Sequence, residues 1–280
     1  MEKLKDNIYV ETEFLGCNPS FVVTLNGIVM IDTPQKPLEA LRWKKEIEKY
    51  GRVIYIINSD HHQDHALGNY FFDGDIITHE GTMKKLLAED RVEFCKDWIK
   101  SIDPRSEYLM EHYWVKKPKF TYENRMTIYL GDEVFELIHH SGHTQDETIV
   151  YMPRKKVLFS GDNVCTIGIP SLHECCLRGW LESLGFIKGL DFEELVPGHG
   201  KIGNKDSVED FDREFRTLIN TVRENMDKGY SREEIIKKVR YEDTVHMKYP
   251  PECSELFDRI VRLSVGRLYD ELIREDPGLL

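Results

Sequence analysis

The chain has no apolar run near the roughly 18 residues that a membrane-spanning helix needs, so a membrane protein is not expected. It has no excess of basic charge. Lys and Arg number 38 against 50 Asp and Glu, for a net charge of -12. Such a surface repels phosphate backbones, which argues against a nucleic-acid partner. The six cysteines (Cys17, Cys95, Cys165, Cys175, Cys176 and Cys253) form no CxxC pair. A zinc–thiolate site is therefore not expected. The charged opening Met1-Glu2-Lys3-Leu4-Lys5-Asp6 lacks an apolar core and reads as no export signal, so reduced thiols and a cytoplasmic protein are the expectation. No repeat or low-complexity tract interrupts the 280 residues.

What the chain does have is an alternation of strands and helices, which argues an α/β fold. Apolar runs flank Asn26-Gly27 as a hairpin, and 37–50 has amphipathic helical periodicity closed by Gly51. A strand over 52–57, a strand over 76–79 and one helix from Gly81 to about Lys100 follow. The aromatic-rich stretch 101–118 is either a lid over a site or a loop packed by its own rings. Strands are expected at 126–130, 133–139, 147–152, 156–160 and 194–196, with a helix from Arg178 to Leu190. Beyond about Lys205 only helical periodicity remains, over 206–228, 231–240 and 253–274. In the last of these, Leu256, Ile260, Leu263 and Leu268 form an apolar stripe that covers its own domain or a second copy in a homodimer.

The densest chemical signal follows the 52–57 strand. Asn58-Ser59-Asp60-His61-His62-Gln63-Asp64-His65 crowds three imidazoles and two carboxylates into eight residues, the composition of a metal-binding loop. If the loop is extended, Asp60, His62 and Asp64 face one way and His65 reaches a second point, enough for two metals. Three further signals each follow a strand and carry a glycine neighbour: Ser141-Gly142-His143-Thr144, Ser160-Gly161-Asp162, and Pro197-Gly198-His199-Gly200.

These four motifs, in this order and spacing, resemble the metallo-β-lactamase superfamily across about residues 8–204. The resemblance implies an α/β (α+β) fold, a four-layer αββα sandwich over 1–204, with 205–280 as a C-terminal helical appendage. It implies His62 and His143 as ligands of one metal, Asp64, His65 and His199 as ligands of a second, and Asp162 bridging both. Asp64 and Asp162 are also the candidate catalytic residues. The cofactors implied are two divalent metal ions, zinc first, with iron or manganese as alternatives.

One position departs from the family's HxHxDH pattern, where Asp60 replaces the first histidine. Asp60 is then a direct ligand, or a group orienting a ligand histidine, or the mark of a weakened first site with a single metal. We favour direct ligation. The function implied is a dinuclear hydrolase of a small ester, thioester or lactone, using a metal-bridging hydroxide. An iron-dependent oxidoreductase resembling persulfide dioxygenases and a non-catalytic binding protein are the alternatives. His140 and His173 are candidates for proton transfer or substrate contact, and Cys165 reads as a small residue packed near the site.

Overall fold

The structure is a computed structural model and describes residues 1–240 and 254–275, with the side chains of 254, 256 and 257 excepted. Cys253 and the Leu256 side chain thus lie outside the described residues. The strands run β1 (Glu2–Lys5), β2 (Ile8–Val10), β3 (Ser20–Thr24), β4 (Gly27–Ile31), β5 (Val53–Ile57), β6 (Asp75–His79), β7 (Phe120–Tyr122), β8 (Arg125–Leu130), β9 (Glu133–His139), β10 (Thr148–Met152), β11 (Val157–Phe159) and β12 (Glu194–Val196). The helices are α1 (Pro37–Ile47), α2 (Gln63–Ala66), α3 (Glu80–Leu86), α4 (Arg91–Ile102), α5 (Leu177–Gly189), α6 (Lys205–Asp227), α7 (Arg232–Lys238) and α8 (Ser254–Glu275).

Strand periodicity of two sorts the apolar side chains into layers. In β4, Val29 and Ile31 point inward between the sheets, while Ile28 and Met30 point outward onto α1. Ile57 and Ile77 face in, and Ile56 and Ile76 face out. The second sheet repeats the pattern. Leu137, Val150 and Met152 meet the first sheet, whereas Ile138, Ile149 and Leu158 face α5 and the C-terminal helices. Two apolar faces per sheet require a covering on each, and the result is helix, sheet, sheet, helix.

Both sheets are mixed. The first has seven strands in the order β1-β2-β3-β4-β5-β6-β7, antiparallel through β4 and parallel from β4 to β7. The second has five, β12-β11-β10-β9-β8, with only β11 and β12 parallel. Because β4, β5 and β6 run in parallel, their carboxyl ends share one edge of the sandwich. Asp32 and the Asn58–His65 loop leave from that edge.

Three expectations are corrected. The helix from Gly81 to Lys100 is two helices, since Leu87, Ala88, Glu89 and Asp90 are all exposed and give a continuous helix no face to bury. The apolar stripe of α8 is Val261, Val265, Leu268 and Leu272, at spacings of four, three and four, while Leu263 is 51% exposed. The 60–65 loop is not extended throughout. It turns into α2 at Gln63, which carries Asp64 and His65 away from Asp60 and His62. Strands β1 and β7 were not anticipated. The 101–118 segment packs Met110 and Tyr113 against Cys95, Ile99 and Ile102 of α4, with Tyr108 and Trp114 exposed. Among the described residues no helix is long and apolar enough to cross a membrane.

Candidate metal centre

The turn into α2 splits the loop's ligand set into two groups. Asp60, His62 and His143 offer donor atoms to one point, and Asp64, His65 and His199 to another. In the first group, Asp60 Oδ2 lies 2.8 Å from His62 Nδ1, and His143 Nε2 lies 3.0 Å from the same nitrogen. Asp60 Oδ2 and His143 Nε2 are 3.9 Å apart. In the second, His199 Nε2 is 3.2 Å from Asp64 Oδ2, and His65 Nε2 is 3.8 Å from it.

Asp162 stands between the groups. Its Oδ2 is 3.4 Å from His143 Nε2 and 3.2 Å from His199 Nε2, and its Oδ1 is 3.3 Å from His65 Nε2. The approach is permitted by glycine. A Cβ on Gly198 would sit 1.9 Å from Asp162 Oδ1 and 2.8 Å from the Gly161 backbone. All seven residues that the sequence singled out therefore converge, and Asp60 points inward with them.

Convergence of this kind is costly without a cation. Asp60 Oδ2, His65 Nε2 and Asp162 Oδ1 are buried and make no hydrogen bond. Buried donors and acceptors are ordinarily paired, so orphaned atoms aimed at a common point fit a metal. The donor set of imidazole and carboxylate, with no thiolate, suits zinc, iron or manganese.

The electrostatics follow from burial and crowding. Burial pushes His143 down to about 4, so it is neutral and ready to ligate. For His199 burial acts the same way, but the Asp162 and Asp64 carboxylates outweigh it and push the ring up to about 10. Burial works to raise Asp162, yet His199, His65 and His143 hold it well below the usual carboxylate range.

Around these groups lies a ring of supports that the sequence reading did not find. Asp32, at the end of β4, accepts from His65 Nδ1 at 2.9 Å and from the Ser59 backbone and hydroxyl, each at 2.7 Å. Its backbone is left-handed, with φ 57°, which Asp tolerates better than most residues. Glu147 is fully buried and accepts from the Asp162 N–H at 3.0 Å and the Thr144 hydroxyl at 3.2 Å. Burial, then the nearby Asp60 and Asp162, raise its carboxyl well above the ordinary range. Asn163 accepts from the His143 N–H and donates to Ser183 of α5. Trp180 packs edge-on to the His143 ring at 5.8 Å.

His173 lies beside His62, with ring centroids 5.3 Å apart, whereas His140 stacks on Phe186 at 4.2 Å on the α5 side. Cys165 is a buried thiol 4.0 Å from the Asp162 carbonyl oxygen. No disulfide joins the described cysteines.

Comparison with known proteins agrees with this architecture. The sequence profile of the metallo-beta-lactamase superfamily matches residues 12–199. A metallo-beta-lactamase type 2 of Elizabethkingia meningoseptica is 29% identical over 219 residues, covering 71% of this chain and 78% of that protein. A linear primary-alkylsulfatase of a Pseudomonas species is 25% identical over 166 residues, covering 54% of this chain and 30% of the enzyme. Among solved structures, a metallo-beta-lactamase from Pontibacter korlensis superposes with a TM-score of 0.58 at 20% identity, over 74% of this chain and 94% of that one.

Proposed function

The chain belongs to the metallo-beta-lactamase superfamily of metal-dependent hydrolases, and from that membership we propose that it is a dinuclear hydrolase acting on a small ester, thioester or lactone. The observation that carries the reading is the position of Asp162, whose two oxygens lie 3.2–3.4 Å from histidines of both groups. Asp60, His62 and His143 would hold one ion and Asp64, His65 and His199 the other, with Asp162 shared. Those residues would hold divalent ions that, when bound, would lower the pKa of a bound water towards about 7 and polarise a carbonyl oxygen.

The chain's own contribution is orientation. Asp32 fixes the ring plane and tautomer of His65, since an acceptor on Nδ1 leaves Nε2 unprotonated and facing the centre. Glu147 holds the backbone that presents Asp162, and Asn163 holds the backbone that presents His143. Trp180, fully buried behind His143, keeps water from the rear of the site.

A second reading is favoured by one feature. Two imidazoles and the Asp60 carboxylate make a two-histidine, one-carboxylate set, which is also a ligand type for non-haem ferrous iron. An iron-dependent oxidoreductase is the activity that set would support.

Elemental analysis of protein purified without chelator separates the two, run beside a panel of nitrophenyl esters, thioesters, lactones and a chromogenic β-lactam. We expect about two equivalents of zinc or manganese, turnover on the acyl substrates, and loss of turnover on chelation with recovery on re-addition. One equivalent of iron together with oxygen consumption would overturn the hydrolytic reading.

A further inference from the structure

The polar cluster beside the first ligand group has no part in the ligand set. Glu174 lies on the loop before α5, and its Oε2 is 3.4 Å from His61 Nε2 and also takes the Lys85 ammonium. Its Oε1 is 4.0 Å from His62 Nε2. That nitrogen is buried and has no hydrogen-bond partner, while Nδ1 of the same ring faces Asp60 and His143. A histidine that ligates through Nδ1 carries its proton on Nε2 and needs an acceptor there. Glu174 Oε1 is a carboxylate oxygen on that side of the ring, 4.0 Å away and 3.8 Å from His173 Nε2, so it stands near His62 without the direct hydrogen bond that Asp32 makes to His65 at 2.9 Å.

What places Glu174 is the C-terminal helix. The Leu172 N–H donates to Ser264 Oγ at 2.9 Å, and the Leu177 N–H donates to Glu271 Oε2 at 3.1 Å. Arg267 donates twice to the Cys175 carbonyl oxygen, at 3.0 and 2.8 Å. All three side chains belong to α8, and they grip the loop on both sides of Glu174. The Glu271 contact also meets a local need, because Cys176 gives α5 no side-chain cap. From its other end the loop reaches the site again, where the Cys176 N–H donates to the Gly142 carbonyl oxygen next to His143.

We propose that Glu174 is a positioning residue for His62, and that α8 sets the geometry of the first ligand group by holding the 172–177 loop that carries Glu174. This rests on the ligand assignment under Proposed function. It makes the C-terminal helix part of the site's scaffold at a distance from any ligand.

The test is titration of the metal-free 280-residue chain with cobalt(II) alone, read by visible absorption and by competition with a chelator. Glu174 is about a third exposed, so Glu174→Gln leaves the metal-free melting temperature near that of the wild type. We expect E174Q to weaken one of two cobalt equivalents by about 10–100-fold and to change its absorption envelope, leaving the other equivalent within about twofold. Arg267→Met weakens that same equivalent, and Arg267→Lys, which keeps one donor, restores part of the loss. Wild-type protein with two equivalents and E174Q with both constants unchanged would overturn this proposal alone. So would R267M that melts normally yet leaves that equivalent unmoved. A wild-type chain that takes up fewer than two equivalents would overturn the ligand assignment and this proposal with it.

Discussion

Asp60→His is the most informative single change, because it exchanges a carboxylate for the imidazole of the family pattern. Asp60 is wholly buried, and its Oδ2 lies 2.8 Å from His62 Nδ1 and 3.9 Å from His143 Nε2. The substitution removes one negative charge from within about 4 Å of the atoms that define the first group. At an effective dielectric near 20, a unit charge at about 4 Å is worth about 4 kcal/mol. That equals about 3 pKa units for a group titrating beside it, at 1.36 kcal/mol per unit. Nearby imidazoles and the bound cations offset part of it, so a downward shift of about one unit or more in the acid limb of the pH–rate profile is expected. The assay is kcat/KM on an acyl substrate across pH 5–10, with metal content measured on the same preparations. Asp60→Asn is the companion, since it keeps the shape and an acceptor for the His62 N–H, now at 2.8 Å, but loses the charge. If D60H keeps about two metal equivalents and its acid limb moves by less than about 0.3 unit, the electrostatic reasoning is wrong.

Three further outcomes follow from the geometry. Asp32→Asn keeps a residue that accepts the left-handed backbone at φ 57° but replaces the anionic acceptor of His65, so one metal equivalent weakens by about 10–100-fold in a chelator competition; an unchanged affinity would show that His65 needs no carboxylate. Gly198→Ala puts a methyl 1.9 Å from Asp162 Oδ1, so metal content measured by elemental analysis drops below that of the wild type while the far-UV spectrum stays the same; full metal occupancy would mean that the Asp162 position is not critical. Finally, His199 has a folded pKa of about 10 against an ordinary 6.5, so its contribution to the metal-free fold is complete below about 6.5 and is lost as pH rises through 10. Metal must displace that proton, so apparent metal affinity rises over the same range. Melting curves of chelated and loaded protein from pH 6.5 to 10 should therefore diverge, and parallel curves would refute the assignment.

The candidate ligands stood out in the sequence because each group follows a strand end, and His143, Asp162 and His199 each also neighbour a glycine. The layers were legible for a similar reason, since a strand buried on both faces writes itself as a run such as Ile28-Val29-Met30-Ile31. Local patterns failed where long-range packing decided the outcome. Nothing near Leu87 announces that the helix must stop there. The α8 stripe was partly misplaced, since Leu268 is buried as expected but Leu263 is exposed and the valines at 261 and 265, with Leu272, complete the buried face. The bend at Gln63 was missed because alternation was extended past the point where the backbone becomes helical.

The supports of the site were hidden for a different reason. Asp32 serves His65, 33 residues later, and only the parallel pairing of β4 with β5, with Ile31 opposite Ile57, brings the two strand ends to one edge. Glu147 and Glu174 are ordinary acidic residues in sequence, one fully buried behind Asp162 and the other held against His61 by a loop that α8 grips. A sequence motif can single out candidates to meet a metal, because each stands in a short local pattern just after a strand. It cannot specify which atoms meet the far side of each ligand ring, because those come from wherever the tertiary fold delivers an acceptor. The signal that could have found Asp32 is therefore topological. An acidic residue that ends an apolar strand, next in a parallel sheet to the strand that carries the ligand loop, has its carboxylate at the same edge as the imidazoles, and burial there is tolerable only if it holds one of them.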